Sequence, residues 1–370
     1  MKAVILVGGL GTRLRPLTCN TPKPMIPLAN RPFIEHMLLR LQEQGIEEVI
    51  LAVRYLADQF RETLGDGSRL GLRVHVMEEA EPMGTAGAVK NVEHMLDGDT
   101  FIFNGDILTD LDLRAMLAFH QSKGSKTTIA LTPVDDPTQF GLVEMNTENR
   151  VQRFLEKPRA EDVRTNLINA GTYIIHADMF RYVPPNQHYM FERGLFPVLL
   201  QTGDPMFGYP TRNYWTDIGR PHNYLEVNHD ILIGRIQVPF PGREVRNRIW
   251  IDGETQIDDD VQLVGPLVIG AGVHIARGAN IIGPTVIGAR CHIGPNVTIE
   301  DAVLWEENRL EEGVSLRRCV LGRGNTVKSG TVITDGAIVS DHCQIGAENR
   351  LERGIRLWPE SVIQDQSISF

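Results

Sequence analysis

Residues 263–275 read Leu-Val-Gly-Pro-Leu-Val-Ile-Gly-Ala-Gly-Val-His-Ile, with an aliphatic side chain at every sixth position: Leu263, Ile269 and Ile275. The same beat runs from Ile251 through Ile257, Ile281, Ile287, Ile293 and Ile299 to Trp305, slips, and resumes from Leu321 to Ile363. Glycine often follows the apolar residue, as at Gly270, Gly288, Gly294 and Gly346. A helix repeats near 3.6 residues and a half-buried strand near two, so neither produces this spacing. A solenoid of short stacked strands does, with one aliphatic side chain per face turned inward. Trp305 and Trp358 read as packing residues of this solenoid.

Upstream the pattern changes. The run Ala3–Val7 is a buried strand, and Pro32–Gln44 has a helical period with Pro at its start and Gly45 at its end. Strand and helix signals then alternate: strands at 49–53, 72–77, 101–103 and 127–131, helices at 56–64, 85–95 and 113–122. Such alternation implies an α/β layered sheet. From about 131 to 217 the strands read as shorter and turn-separated, and a last helix covers Pro221–Ile233. The organisation expected is a domain over 1–233, a linker over 234–250 and the solenoid over 251–370.

The opening strand runs into Gly8-Gly9-Leu10-Gly11-Thr12-Arg13-Leu14-Arg15-Pro16, with Lys23 a few residues on. Glycines without a Cβ let backbone N–H groups turn inward as an anion nest. From Met1 to Ile34 there are five Lys or Arg and no Asp or Glu, in a chain of net charge −10. That local reversal of sign marks a phosphate site. It is not a Walker loop, which needs Gly-x4-Gly-Lys-Ser/Thr. Nor is it a dinucleotide fingerprint, because Leu14 stands where the third glycine belongs.

The acidic balance argues against a nucleic-acid partner. Cys19, Cys291, Cys319 and Cys343 lack zinc-ligand spacing and read as reduced thiols. No stretch has the length of a membrane span and the first apolar run is too short for a signal peptide, so a soluble cytoplasmic protein is expected.

Further segments complete a set: Glu81-Pro82-Met83-Gly84-Thr85-Ala86-Gly87, Asn104-Gly105-Asp106, Glu156-Lys157-Pro158, Asn169-Ala170-Gly171 and Trp215-Thr216-Asp217. With the glycine loop and the hexads, this set resembles the sugar-1-phosphate nucleotidyltransferases over essentially the whole chain. The hexads themselves resemble the left-handed parallel β-helix. The resemblance implies a Rossmann-like (GT-A type) catalytic domain and a reaction in which a sugar 1-phosphate oxygen attacks the α-phosphorus of a nucleoside triphosphate, releasing pyrophosphate. An anionic nucleophile needs no general base, so positioning and charge neutralisation should dominate.

By the same resemblance, Leu6, Gly8, Gly9, Gly11, Thr12, Glu79, Pro82, Gly84 and Thr85 would bind the nucleotide. Arg13, Lys23 and Lys157 would be catalytic, with Lys157 on the phosphate of the sugar phosphate. Asn104, Gly141, Glu156 and Asn169 would form the sugar pocket, and Asp106 and Asp217 would hold Mg²⁺. The turn at 80–87 should let a flat group approach its glycines. Glu79 stands where relatives using thymidine or uridine nucleotides often carry Gln. A carboxylate that only accepts suits the adjacent N1–H and N2–H₂ donors of guanine; the bland alternative is a solvated surface acid beside Glu78 and Glu81. GTP is therefore favoured, and the resemblance implies mannose 1-phosphate as the sugar, with a glucose-1-phosphate enzyme using UTP, dTTP or ATP as the alternative.

Two readings from other classes stand beside this one. A non-catalytic regulatory subunit would lack the cations or acids, yet Arg13, Lys23, Asp106, Lys157 and Asp217 are all present. An acyltransferase activity in the solenoid would need a long loop interrupting the hexads, and none does. Homo-oligomer assembly through the solenoid is expected instead.

Overall fold

The computed structural model describes residues 1–369. The chain forms two compact units, the first from residues 1–9 and 37–216, the second from residues 10–36 and from 217 onward.

The first unit is built on a nine-stranded mixed sheet. Its strands are β1 (Lys2–Val7), β2 (Glu48–Val53), β3 (Arg73–Glu78), β4 (Asp99–Asn104), β5 (Thr127–Pro133), β6 (Gly141–Met145), β7 (Val151–Glu156), β8 (Leu167–His176) and β9 (Met206–Pro210). The order is β7-β6-β8-β4-β1-β2-β3, with β5 pairing β8 and β9. β1 runs parallel to both β2 and β4, and Val4 and Ile5 have no exposed surface. β2 and β3 lie on one side of β1 and β4 on the other, so the strand order reverses at β1. Open α/β sheets bind ligands at such a switch point, outside the carboxyl ends of the strands.

Helices α1 (Phe33–Glu43), α2 (Ala57–Leu64), α3 (Gly84–Asn91), α4 (Leu113–Ser122) and α5 (Phe196–Thr202) follow. The Asp112 carboxylate caps α4 by accepting from the Ala115 amide at 2.9 Å. The stretch from 131 to 217 departs from expectation. β8 is ten residues long, and α5 was not anticipated. The alternation in β8 is broken by a register shift between Asn169 and Tyr173, where Gly171 takes a φ of +70°.

In the second unit, α6 (Pro221–Ile233) has the bounds its sequence predicts. Strands Arg243–Arg246 and Ile249–Ile251 then pair antiparallel, and the latter begins a parallel β-helix of three stacked sheets. Ile269, Ile275, Ile281, Ile287, Ile293 and Ile299 are all fully buried in its core. The slip in the hexads has a simple cause. Only five positions separate Ile299 from Leu304 and Leu316 from Leu321, so two coils are one residue short. Leu304, not Trp305, pairs with Ile287 and points inward. Trp305 is buried differently, its indole N–H donating to the Tyr224 hydroxyl at 2.9 Å. Trp358 is no packing residue, being 53% exposed.

Among the described residues no helix is long and apolar enough to cross a membrane. All four cysteines are free thiols, and burial raises Cys291 to about 12.

Candidate active site

In the first unit, the chemistry-bearing residues gather at the carboxyl ends of β1 and β4, where Leu6 pairs with Asn104. The Gly105 amide donates to the Leu6 carbonyl at 2.9 Å, and a Cβ at Gly105 would lie only 2.6 Å from that oxygen. Glycine is thus required for the turn that carries Asp106 out of β4. Gly9 faces open space, with nothing within 4 Å of where its Cβ would be.

Glu79 follows β3, and its carboxylate lies beside Gly8, 3.7 Å from the position of an added Cβ. It is only 7% exposed, whereas its neighbours Glu78 and Glu81 lie in solvent. Burial raises its pKa, opposed by a hydrogen bond from the Met83 amide and by the Arg54 charge. It is not a solvated surface acid.

The glycines of the 80–87 turn do not receive a flat group. A Cβ at Gly84 would stand 2.7 Å from the Tyr189 carbonyl, and one at Gly87 equally close to the Gln187 carbonyl. The Ala86 and Gly87 amides both donate to Tyr189 O at 3.0 Å. The chain itself therefore occupies these places, because the first-turn N–H groups of α3 need acceptors. Pro82 remains exposed at the rim of the turn. Thr85 is likewise committed: its hydroxyl accepts from the Phe191 amide at 2.8 Å and donates to Glu192 at 3.2 Å.

The sugar-side candidates fall into two groups. Gly141 pairs with Glu156 across β6 and β7, and a Cβ at Gly141 would approach Phe154 to 2.7 Å and the Glu156 carboxylate to 3.2 Å. Lys157 follows with a left-handed φ of +49°. In β8, Asn169 donates to the Tyr173 hydroxyl at 2.9 Å and accepts from the Gly171 amide at 3.0 Å, while Gly171 packs against the Asn104 side chain. Burial first, then Glu192, Glu156 and Asp106, push the Tyr173 phenol well above its ordinary value. Glu192 was not anticipated. It sits in an irregular turn with no periodicity, and burial with Glu156 nearby raises its pKa.

In the second unit, Gly11 takes a φ of +61° and opens a short 3₁₀ turn over Thr12–Leu14. This left-handed residue followed by a helical one is the backbone of an anion nest. Lys23 Nζ lies 3.2 Å from Asp217 Oδ1, and Arg13 Nη2 lies 3.7 Å from Asp217 Oδ2. A Cβ at Gly219 would lie 2.7 Å from the Asp217 carboxylate and 2.9 Å from the Arg13 guanidinium. Among the described residues no three His, Cys, Asp or Glu side chains cluster as metal ligands.

Residues 2–233 match the nucleotidyl transferase family and residues 246–351 the LbH domain of EIF2B subunit epsilon. The chain therefore belongs to the nucleotidyl transferase family of enzymes, and its solenoid is a left-handed parallel β-helix. It is 38% identical over 318 residues to mannose-1-phosphate guanylyltransferase of Mycobacterium tuberculosis, covering 85% of this chain and 83% of the relative. It is 32% identical over 376 residues to UTP–glucose-1-phosphate uridylyltransferase of Synechocystis, covering 92% of each. The crystal structure of HddC from Yersinia pseudotuberculosis complexed with GMP-PN aligns with 30% identity and a TM-score of 0.53, over 61% of this chain and 97% of that one.

Proposed function

We propose that this enzyme transfers a guanylyl group from GTP to mannose 1-phosphate, giving GDP-mannose and pyrophosphate. The observation that carries the choice of base is Glu79. A buried carboxylate beside Gly8 is an acceptor, and an acceptor suits a base with two adjacent donors. The extensive likeness to a mannose-1-phosphate guanylyltransferase supports the same substrate pair.

The sugar phosphate oxygen attacks the α-phosphorus, a P–O bond forms, and the bond to the β-phosphate breaks as pyrophosphate leaves. Leu6, Gly8, Gly9, Gly11 and Thr12 line the nucleotide's path, and Arg13 and Lys23 neutralise charge on the α-phosphate and leaving group. Lys157 binds the phosphate of mannose 1-phosphate. Glu156, Asn169, Asn104 and Gly141 form the sugar pocket, to which we add Glu192. Thr85 acts by holding Glu192, and Gly84 by admitting the 189 backbone. Asp106 and Asp217 are carboxylates, the hard oxygen donors Mg²⁺ prefers, and they would hold that ion with phosphate and water oxygens completing its shell. Bound Mg²⁺ would supply charge neutralisation to the phosphates.

We assign this chemistry to residues 1–233 and homo-oligomer assembly in the cytoplasm to the β-helix over 251–370, joined by 234–250. Assaying pyrophosphate release and GDP-mannose formation from GTP and mannose 1-phosphate tests the assignment. A second reading, glucose 1-phosphate with UTP, draws on the likeness to the uridylyltransferase.

A further inference from the structure

The second unit contains a cleft of about 610 Å³ that the chemistry above touches only through Arg13. Arg13, Arg220, His222, Arg318, Asp335 and Arg356 supply its charged and polar lining. Four guanidiniums thus stand against one carboxylate, in a chain whose net charge is −10. Among the described residues, Arg220 and Arg356 take part in no ion pair, Arg356 donating instead to the Arg15 carbonyl at 3.1 Å, while Arg13 lies 3.7 Å from Asp217 and Arg318 3.8 Å from Asp301.

The solenoid shapes the recess. Arg318 occupies a coil corner, and the corners stacked beneath it are Gly336 and Gly354, with φ of +76° and +69°. Their amides donate to the Arg318 and Asp335 carbonyls at 2.8 and 2.9 Å. Two successive glycine corners leave the space below the Arg318 guanidinium clear of side chains, and nothing lies within 4 Å of where a Gly354 Cβ would be. On the adjoining strand ladder Arg356 stacks beneath Ile338 and Val320. Those two apolar rungs and Cys319 are buried, and no Phe, Tyr or Trp lines the cleft. It suits a compact polyanion held by forked, charge-assisted hydrogen bonds.

We propose that this cleft binds inorganic pyrophosphate, receiving the leaving group of the transfer reaction through Arg13, which belongs both to the cleft and to the glycine loop. The reaction as the pyrophosphate's source rests on the function proposed above; the binding itself does not. An anion recognised mainly by Arg220, Arg318 and Arg356 leaves the nucleotide's own contacts intact, so it affects product release and the reverse reaction more than GTP binding.

The test is calorimetric titration of pyrophosphate into the full-length protein at fixed low ionic strength with EDTA, without nucleotide or sugar phosphate. Arg318→Ala and Arg356→Gln, neither assigned to catalysis, are each expected to weaken binding about tenfold or more, with unchanged circular dichroism. In pyrophosphorolysis of GDP-mannose the same variants should raise the KM for pyrophosphate about fivefold and leave the forward KM for GTP within about twofold. No binding, wild-type affinity in both variants, or parallel loss of GTP and pyrophosphate binding would overturn the proposal. Binding that weakens in the variants, in a protein that turns over no nucleotide, would instead overturn the proposed function and leave the cleft's assignment standing.

Discussion

Lys23 and Asp217 form an ion pair 3.2 Å long, with side chains only 8% and 19% exposed. A pair so withdrawn from solvent is held for what it positions, because its desolvation offsets most of its attraction. Arg13 shares the same carboxylate. Asp217→Asn keeps the shape and removes the charge, leaving two cations short of a partner. Its urea midpoint should fall by an amount equivalent to about 2 kcal/mol, and kcat by roughly a hundredfold. Combining it with Lys23→Met should recover much of the stability and none of the activity. A single variant with wild-type kcat would remove Asp217 from the reaction.

Glu79→Gln puts a donor where guanine also donates. The ratio of kcat/KM for GTP over UTP should fall about tenfold or more, read from initial rates with each nucleotide. Burial raises the Glu79 pKa, so its carboxylate protonates at a higher pH than an exposed glutamate. The KM for GTP should therefore climb on acidification, and this rise should vanish in the Gln variant.

Gly141→Ala introduces a methyl 2.7 Å from the Phe154 ring and 3.2 Å from the Glu156 carboxylate. Displacing Glu156 should raise the KM for the sugar phosphate about fivefold while the KM for the nucleotide stays put. Equal changes in both would mean that Glu156 does not face the sugar.

His36 donates through Nε2 to the Leu28 carbonyl at 2.9 Å, and burial lowers its pKa to about 4. The folded state resists its protonation while the unfolded chain accepts it near pH 6.5. Stability should accordingly decline as pH falls from about 6.5 towards about 4, by on the order of 3 kcal/mol at the acid end. His36→Gln keeps a donor and does not titrate, so its urea midpoint should change less over this range.

The solenoid was legible because one side chain in six must point inward, and Ile269 to Ile299 do so without exception. Its two short sides were legible only as a slip; which residue turns inward, Leu304 and not Trp305, depends on strand pairing. The alternating half was equally readable where strands and helices are regular, as at Leu113–Ser122. Sequence reading failed where long-range contacts replace periodicity. The Tyr189 carbonyl that fills the space at Gly84, and the Thr85 hydroxyl that holds Glu192, join positions about a hundred residues apart in the chain. A glycine signals that something comes close; it does not say whether that is a ligand or the protein's own backbone.

The central claim is guanylyl transfer to mannose 1-phosphate. Its most direct test is a matrix of pyrophosphate-release rates for GTP, UTP, dTTP and ATP against mannose, glucose and N-acetylglucosamine 1-phosphates, with Mg²⁺ and the full-length protein. GTP with mannose 1-phosphate should give the highest kcat/KM, with GDP-mannose as product. A maximum at UTP or dTTP with glucose 1-phosphate, or no release from any pair, would contradict the account.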